Sequence, residues 1–210
     1  MLPQTLLFDI DTSEIARLQA QLSATSDQVA AAYDRAMKRT AVTMKSRSLA
    51  LMRDGMDARS LKAIRKRIHT YRSSFGIRKA GQGMGELKLW FGLNDISLSA
   101  LKGRYSRIGT RSNPAGAAFT SGALGRQDHH DGFIARVNNR RSIYGRKGRS
   151  RWPVREKKAA IYDSLHAEIE DDIFAELPEV FMQHFTTDLK GRVAANDLIR
   201  TRQHSWMKHV

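Results

Sequence analysis

Asp128-His129-His130-Asp131 is the one run in the chain whose residue types ligate divalent metals. Two imidazoles and two carboxylates beside a phosphate would suit a metal-dependent nuclease, in which the ion polarises a phosphoryl oxygen and activates water. Such a centre needs ligands from elsewhere in the chain, and no second His or Asp/Glu cluster with matching spacing accompanies this one. His204 and His209 near the end add no pattern. Gly145-Arg-Lys-Gly148 has the letters of a backbone-clamping GxxG loop, but that loop joins two helices and this run sits between strand signals. There is no Walker loop, Rossmann fingerprint or nucleophile elbow. These runs point to no catalytic residue, no cofactor and no metal.

Charge is the stronger signal. Between Gly132 and Lys158 stand ten Lys or Arg residues against the single acid Glu156. Phe133, Ala135 and Val137 alternate with Ile134, Arg136 and Asn138, the period of a half-buried strand. Asn138-Asn139 tolerate positive φ and supply a tight turn, after which Ser142, Ile143 and Tyr144 read as the returning strand. Trp152, Pro153 and Val154 make a third extended piece, with the proline at its start or edge. The result is a cationic ribbon in which Arg140, Arg141, Arg146, Lys147, Arg149 and Arg151 face DNA or a protein partner. Tyr144 and Trp152 beside these arginines could stack on bases, although packing is the commoner role for one aromatic per strand.

The whole chain has 210 residues, 36 Lys plus Arg against 21 Asp plus Glu, and a pI near 10.5, which points to an acidic polymer or an acidic partner surface. With no Cys, disulfides and thiolate metal sites are excluded. The start MLPQTLLFDID lacks a basic n-region, and no apolar run reaches spanning length, so the expectation is a soluble protein made in the cytoplasm, with no membrane partner.

The elements that must carry these residues follow from periodicity. Residues 4–10 suggest a short strand. From Ile15 to Leu51 apolar positions recur near every 3.6 residues, with a break at Ser23 to Asp27 and an end at Gly55. A short helix over Ala58 to Ile68 belongs to a second cationic block, fourteen basic residues against two acids from Arg35 to Lys79. Strands over Thr70–Lys79 and Glu86–Leu93 would join across the glycine-rich turn at 81–85. Ser97 to Leu101 suggests one helical turn. Gly103 to Asp131 is poor in apolar residues and reads as a long exposed loop. Beyond the ribbon the charge reverses: Ile161, Leu165, Ile169, Ile173 and Leu177 recur every fourth residue within a span that holds acids and no Lys or Arg. Pro178 should kink or restart this acidic helix, and residues 199–210 form an arm. The sum is an α+β fold: antiparallel sheet flanked by a long N-terminal helix and a long acidic C-terminal helix, one domain over 1–198.

Several blocks, taken in order, resemble a known family. They are Ala36 to Ser48 (AMKRTAVTMKSRS), Leu61 to Ile68 (LKAIRKRI), Leu89 to Asn94 (LWFGLN), Phe119, Phe133 to Arg136 (FIAR) and Tyr144 to Val154 (YGRKGRSRWPV). Their succession from about Asp34 to Val193 is similar to the minor tail protein Z family of tailed bacteriophages. The strand before Thr12 and the segment after Ile199 have no counterpart in that pattern. The resemblance implies a structural tail-completion protein at the virion neck, assembled in the host cytoplasm, with no enzyme activity. It implies a hexameric ring of copies of itself between the tail tube or terminator protein and the head-tail connector protein, with packaged DNA in the channel. A ring contact could then pair the acidic residues Glu168, Glu170, Asp171 and Asp172 with a neighbour's basic ones. Two rival readings remain: a monomeric nucleic-acid-binding protein contacting phosphates through Arg140 to Arg151, and a metal nuclease at His129 and His130.

Overall fold

Thr25 shows how the longest N-terminal element begins. Its backbone N–H donates to Gln28 Oε1 at 2.8 Å, while its hydroxyl oxygen accepts from the Gln28 N–H at 3.3 Å, a reciprocal capping box. In the computed structural model, which describes residues 12–72, 87–146, 148 and 150–207, this cap separates α1 (Thr12–Gln21) from α2 (Ser26–Gly55). The break falls where small polar residues weaken the helix, with Ser23 at φ 49°. The strand suggested at 4–10, the glycine-rich turn at 81–85 and the ends of the strands that flank it lie outside the described residues.

The chain is α+β, and in its second unit every strand pairing among the described residues is antiparallel. Where the sequence suggests one domain, the backbone groups into two compact units. The first takes residues through Ser46, Thr70–Trp90 and the chain from Asp172; the second takes Arg47–His69 and Phe91–Asp171.

In the first unit α2 runs antiparallel to α5 (Leu177–Met207), since Ala31 lies by Arg192 while Thr43 lies by His184. Tyr33 meets the Phe181 ring edge-on at 5.1 Å, and Phe181 stacks on Phe185 at 6.0 Å; all three are buried. The buried carboxylate of Asp188 accepts from Arg192 Nε at 2.6 Å and lies 3.4 Å from Arg35 Nε, so its charge is compensated from both helices. Pro178 is the second residue of α5, where a missing N–H costs no intrahelical bond, so it restarts the helix and does not kink it. The helix continues through the segment read as an arm, as far as Met207. β1 (Ile68–Arg72) and β2 (Leu87–Phe91) pair with each other.

The second unit carries the short helix α3 (Leu61–Arg65), shorter than expected because Ile68 already starts β1. β3 (Ile96–Ser97) leads into a 3-10 turn, Leu98–Ala100, and pairs with β10 (Lys158–Ala159). The largest correction concerns Gly103 to Asp131. This stretch is no loop but a three-stranded sheet of β4 (Arg104–Gly109), β5 (Pro114–Ser121) and β6 (Gly125–His129). Its apolar content is low because pairing is made by backbone groups, and its buried apolar side chains are Ala117, Ala118 and Phe119 in the middle of β5. Gly109 and Gly125, at φ 80° and 64°, close the two turns.

The expected cationic hairpin is present. β7 (Gly132–Val137) pairs with β8 (Arg140–Arg146) across Asn138 and Asn139, at φ 47° and 63°, and β9 (Val154–Glu156) adds the third strand. The chain then enters α4 (Tyr162–Glu168) and a π turn, Ile169–Phe174. A strict four-residue repeat drifts by about 40° per step around an α-helix. The wider π turn absorbs this drift, and Leu165, Ile169, Ile173 and Leu177 are all no more than 3% exposed.

Candidate functional site

Three stretches of the second unit converge on an open cleft of about 1080 Å³. The flanks and body of α3 supply Arg59, Lys62, Lys66 and Arg67; the run before and into β4 supplies Arg104 and Tyr105; the tip of the β7–β8 hairpin supplies Arg136, Asn139, Arg140 and Arg141. Eight of its lining residues are Lys or Arg and none is Asp or Glu.

Backbone bonds fix the frame. Ala58 bridges to Leu101, the Arg59 N–H donates to Ala100 O at 2.9 Å, and Arg59 Nε donates to Leu101 O at 2.6 Å. Asp57, at φ 52°, accepts the Lys102 N–H on its carbonyl, and its carboxylate accepts the Ala123 N–H at 2.7 Å. Arg67 is a clamp: its guanidinium donates to Gly92 O and Asn94 Oδ1, both at 2.9 Å, and to Asp95 O at 3.2 Å. Burial lowers its pKa from the ordinary arginine value, against the opposing charge of Asp95, yet a guanidinium stays cationic in proteins.

Beneath the cleft, Tyr105 donates to Leu98 O at 3.0 Å and leans on Phe119 at 5.4 Å between centroids. Burial raises the Tyr105 pKa, so it remains a neutral donor. Glu156 accepts from the Ser99 N–H at 2.8 Å and from the Ser142 hydroxyl at 2.7 Å. The one acid of the ribbon therefore holds two stretches of the chain together and makes no ion pair with the cleft cations among the described residues.

Lys62, Lys66, Arg104, Arg136, Arg140 and Arg141 are exposed, and none pairs with a carboxylate among the described residues. Arg136 stands directly opposite Arg141 in the hairpin register. Like charges facing each other across two strands oppose pairing.

The ribbon read from sequence is divided. Arg140 and Arg141 line the cleft, whereas Arg146 lies at the other end of β8 with its guanidinium 5.5 Å from the centre of the Phe133 ring. Arg151 is exposed in the segment before β9 and does not line the cleft. Lys147 and Arg149 lie outside the described residues. Sequence reasoning missed Arg59, Lys62, Lys66, Arg67, Arg104 and Arg136 as site residues. The cationic block before β1 signalled four of them as an excess of charge, and nothing local to Arg104 signals it.

The acidic residues sit at the end of α4 and in the π turn. Glu168, Asp171 and Asp172 are exposed without an ion-pair partner among the described residues, while Glu170 lies 3.6 Å from His166 Nδ1. The Asp128 to Asp131 run is taken up by local contacts. Arg126 Nε donates to Asp128 at 2.8 Å, Lys157 Nζ pairs with Asp131, and His130 Nδ1 is 3.4 Å from Ala115 O. Lys157 holds the Asp131 pKa below the usual carboxylate value. Among the described residues no three His, Asp or Glu side chains converge as a metal site would require.

His129 has its Nε2 buried without a hydrogen-bond partner, and burial, then the Lys157 charge, lowers its pKa. His184 on α5 is shifted the same way by burial and Arg39. A histidine whose folded pKa lies below its unfolded value near 6.5 binds protons more readily when unfolded. Its stabilising contribution is complete above that value and is lost as pH falls through it toward the folded pKa. The urea midpoint should therefore drop between about pH 7 and pH 5, where ordinary carboxylates stay ionised. A variant with His129→Asn and His184→Gln should show a flatter profile; an unchanged profile would exclude these two as the cause.

No protein-family model, curated protein or solved structure matches the chain, so its function must be read from the cleft, the distribution of unpaired charge and the resemblance of its sequence blocks.

Proposed function

We propose that the chain is a structural tail-completion protein of a tailed bacteriophage, forming a homo-oligomeric ring at the neck between tail tube or terminator and head connector. The observation that supports it most directly is that unpaired charge of both signs is left exposed on one chain. Exposed carboxylates of Glu168, Asp171 and Asp172 face solvent on a helical turn whose apolar side is already buried, and Arg146 and Arg151 are exposed near β8 and β9. Two unlike surfaces on one protomer are what a head-to-tail contact requires, and a ring closes when the rotation between copies permits it. Charge complementarity of this kind fixes register and selects partners. The order of sequence blocks supports this reading through its resemblance to the family, and the α+β architecture agrees with what that resemblance implies. The role needs no bond made or broken.

The test is assembly. The triple variant Glu170→Lys, Asp171→Lys, Asp172→Lys should convert rings to single chains in native mass spectrometry at a concentration where the wild type is oligomeric. Rings formed equally well by the variant would remove the acidic turn from the contact. A wild-type chain that stays single at high concentration and is missing from purified particles would end the reading. The cleft favours a second reading, a monomer that binds nucleic acid, and the same mass spectra separate the two.

A further inference from the structure

We propose that the cationic cleft is a binding site for the phosphodiester backbone of nucleic acid. The inference deepens the neck reading and rests on it only for which nucleic acid is met.

The first argument is electrostatic. Seven exposed cations, Arg59 among them, are gathered around one depression with no carboxylate in its lining, and two of them, Arg136 and Arg141, are held face to face by the strand register. An assembly of like charges opposes its own folding unless an anion compensates it. Glu156 accepts from Ser99 and Ser142 and makes no ion pair with these cations among the described residues.

The second argument is preorganisation. Arg59 and Arg67 are tied by side-chain bonds to backbone carbonyls, and the hairpin tip is set by two residues of positive φ. Cations on such an anchored frame lose little freedom when an anion arrives.

The third argument is size. Clefts for small ligands run to about 1,000 Å³, and this one, at about 1080 Å³, is open and charged along its extent. A single phosphate would leave most of its cations unmatched, whereas a chain of regularly spaced phosphates meets one after another. Arginine predominates over lysine in the lining, and its planar fork suits phosphate oxygens. An acidic protein segment is the rival occupant. The acidic turn of a second copy spans Glu168 to Asp172, about 6 Å along a helix axis, and so offers its charges over a short length, where the cleft draws cations from three separate stretches.

The experiment uses the full chain and fluorescence anisotropy with labelled single-stranded and duplex DNA across a salt series. The cleft triple Arg136→Gln, Arg140→Gln, Arg141→Gln is compared with an equal loss of charge elsewhere, Lys38→Gln, Arg39→Gln, Lys190→Gln. Each phosphate contact contributes about 0.7–0.9 to the slope of log affinity against log salt, so the cleft triple should reduce the slope by about 2–3 and the affinity at least ~10-fold. The control should change affinity no more than ~2-fold. Lys62→Gln with Lys66→Gln repeats the test from α3 should the hairpin triple fail to fold. Equal losses in both triples, or no DNA binding by the wild type at low salt, would overturn the proposal. So would a peptide of residues 162–176 whose binding depends on the cleft arginines while DNA binding does not. Rings without DNA binding would sink this inference alone, and DNA binding by a chain that stays single and is missing from purified particles would sink the neck reading alone.

Discussion

Phe119→Ala should destabilise the second unit by roughly 3–5 kcal/mol, the range for removing a fully buried aromatic. Phe119 is 0% exposed at the centre of β5, between the two strands that pair with it. Its ring supports Tyr105 from below, and a Cβ built on Gly103 would lie only 2.5 Å from it. Truncation removes the transfer energy of the ring and leaves a void under the cleft, which the paired strands cannot collapse to fill without breaking register. Urea unfolding followed by tryptophan fluorescence would show the midpoint fall; a loss below about 1 kcal/mol would mean the sheet repacks freely. Because Tyr105 lines the cleft, the loss should also loosen the frame on which Arg104 stands.

Gly116→Ala should cost a comparable amount, roughly 2–5 kcal/mol, for a different reason. Gly116 sits in β5 at φ 122°, a region L side chains rarely adopt, and an added Cβ would lie 2.5 Å from His129 O and 2.6 Å from His130 Cα. Both obstacles are backbone atoms of the adjoining strand and turn, so relief requires moving the β5–β6 ladder itself. Gly125→Ala is the matched control. It too has positive φ, at 64°, but nothing lies within 4 Å of its Cβ, so only the left-handed penalty of about 1–2 kcal/mol applies. Thermal unfolding of the two variants separates conformational strain from collision; equal losses would show that the collision is relieved at no cost.

Much of the architecture was legible because its signals are local. The β7–β8 hairpin follows from alternation and from Asn138-Asn139, the break between α1 and α2 from small polar residues, and the restart at Leu177 from Pro178. The sheet from Arg104 to His129 was not legible. Its core is two alanines and one phenylalanine, its outer strands carry arginine and serine, and its stability comes from pairing partners that only the fold supplies. The cleft was half legible. The excess charge around Arg59 to Arg67 and around Arg136 to Arg141 stands out in the letters, but the convergence of these stretches on Arg104 depends on tertiary bonds such as Ala58 to Leu101.

Arg136 and Arg141 face each other at the hairpin tip, so an anion bound there would tie occupancy to folding by mass action. It would relieve a repulsion that the native register concentrates, and binding would raise the stability of the hairpin.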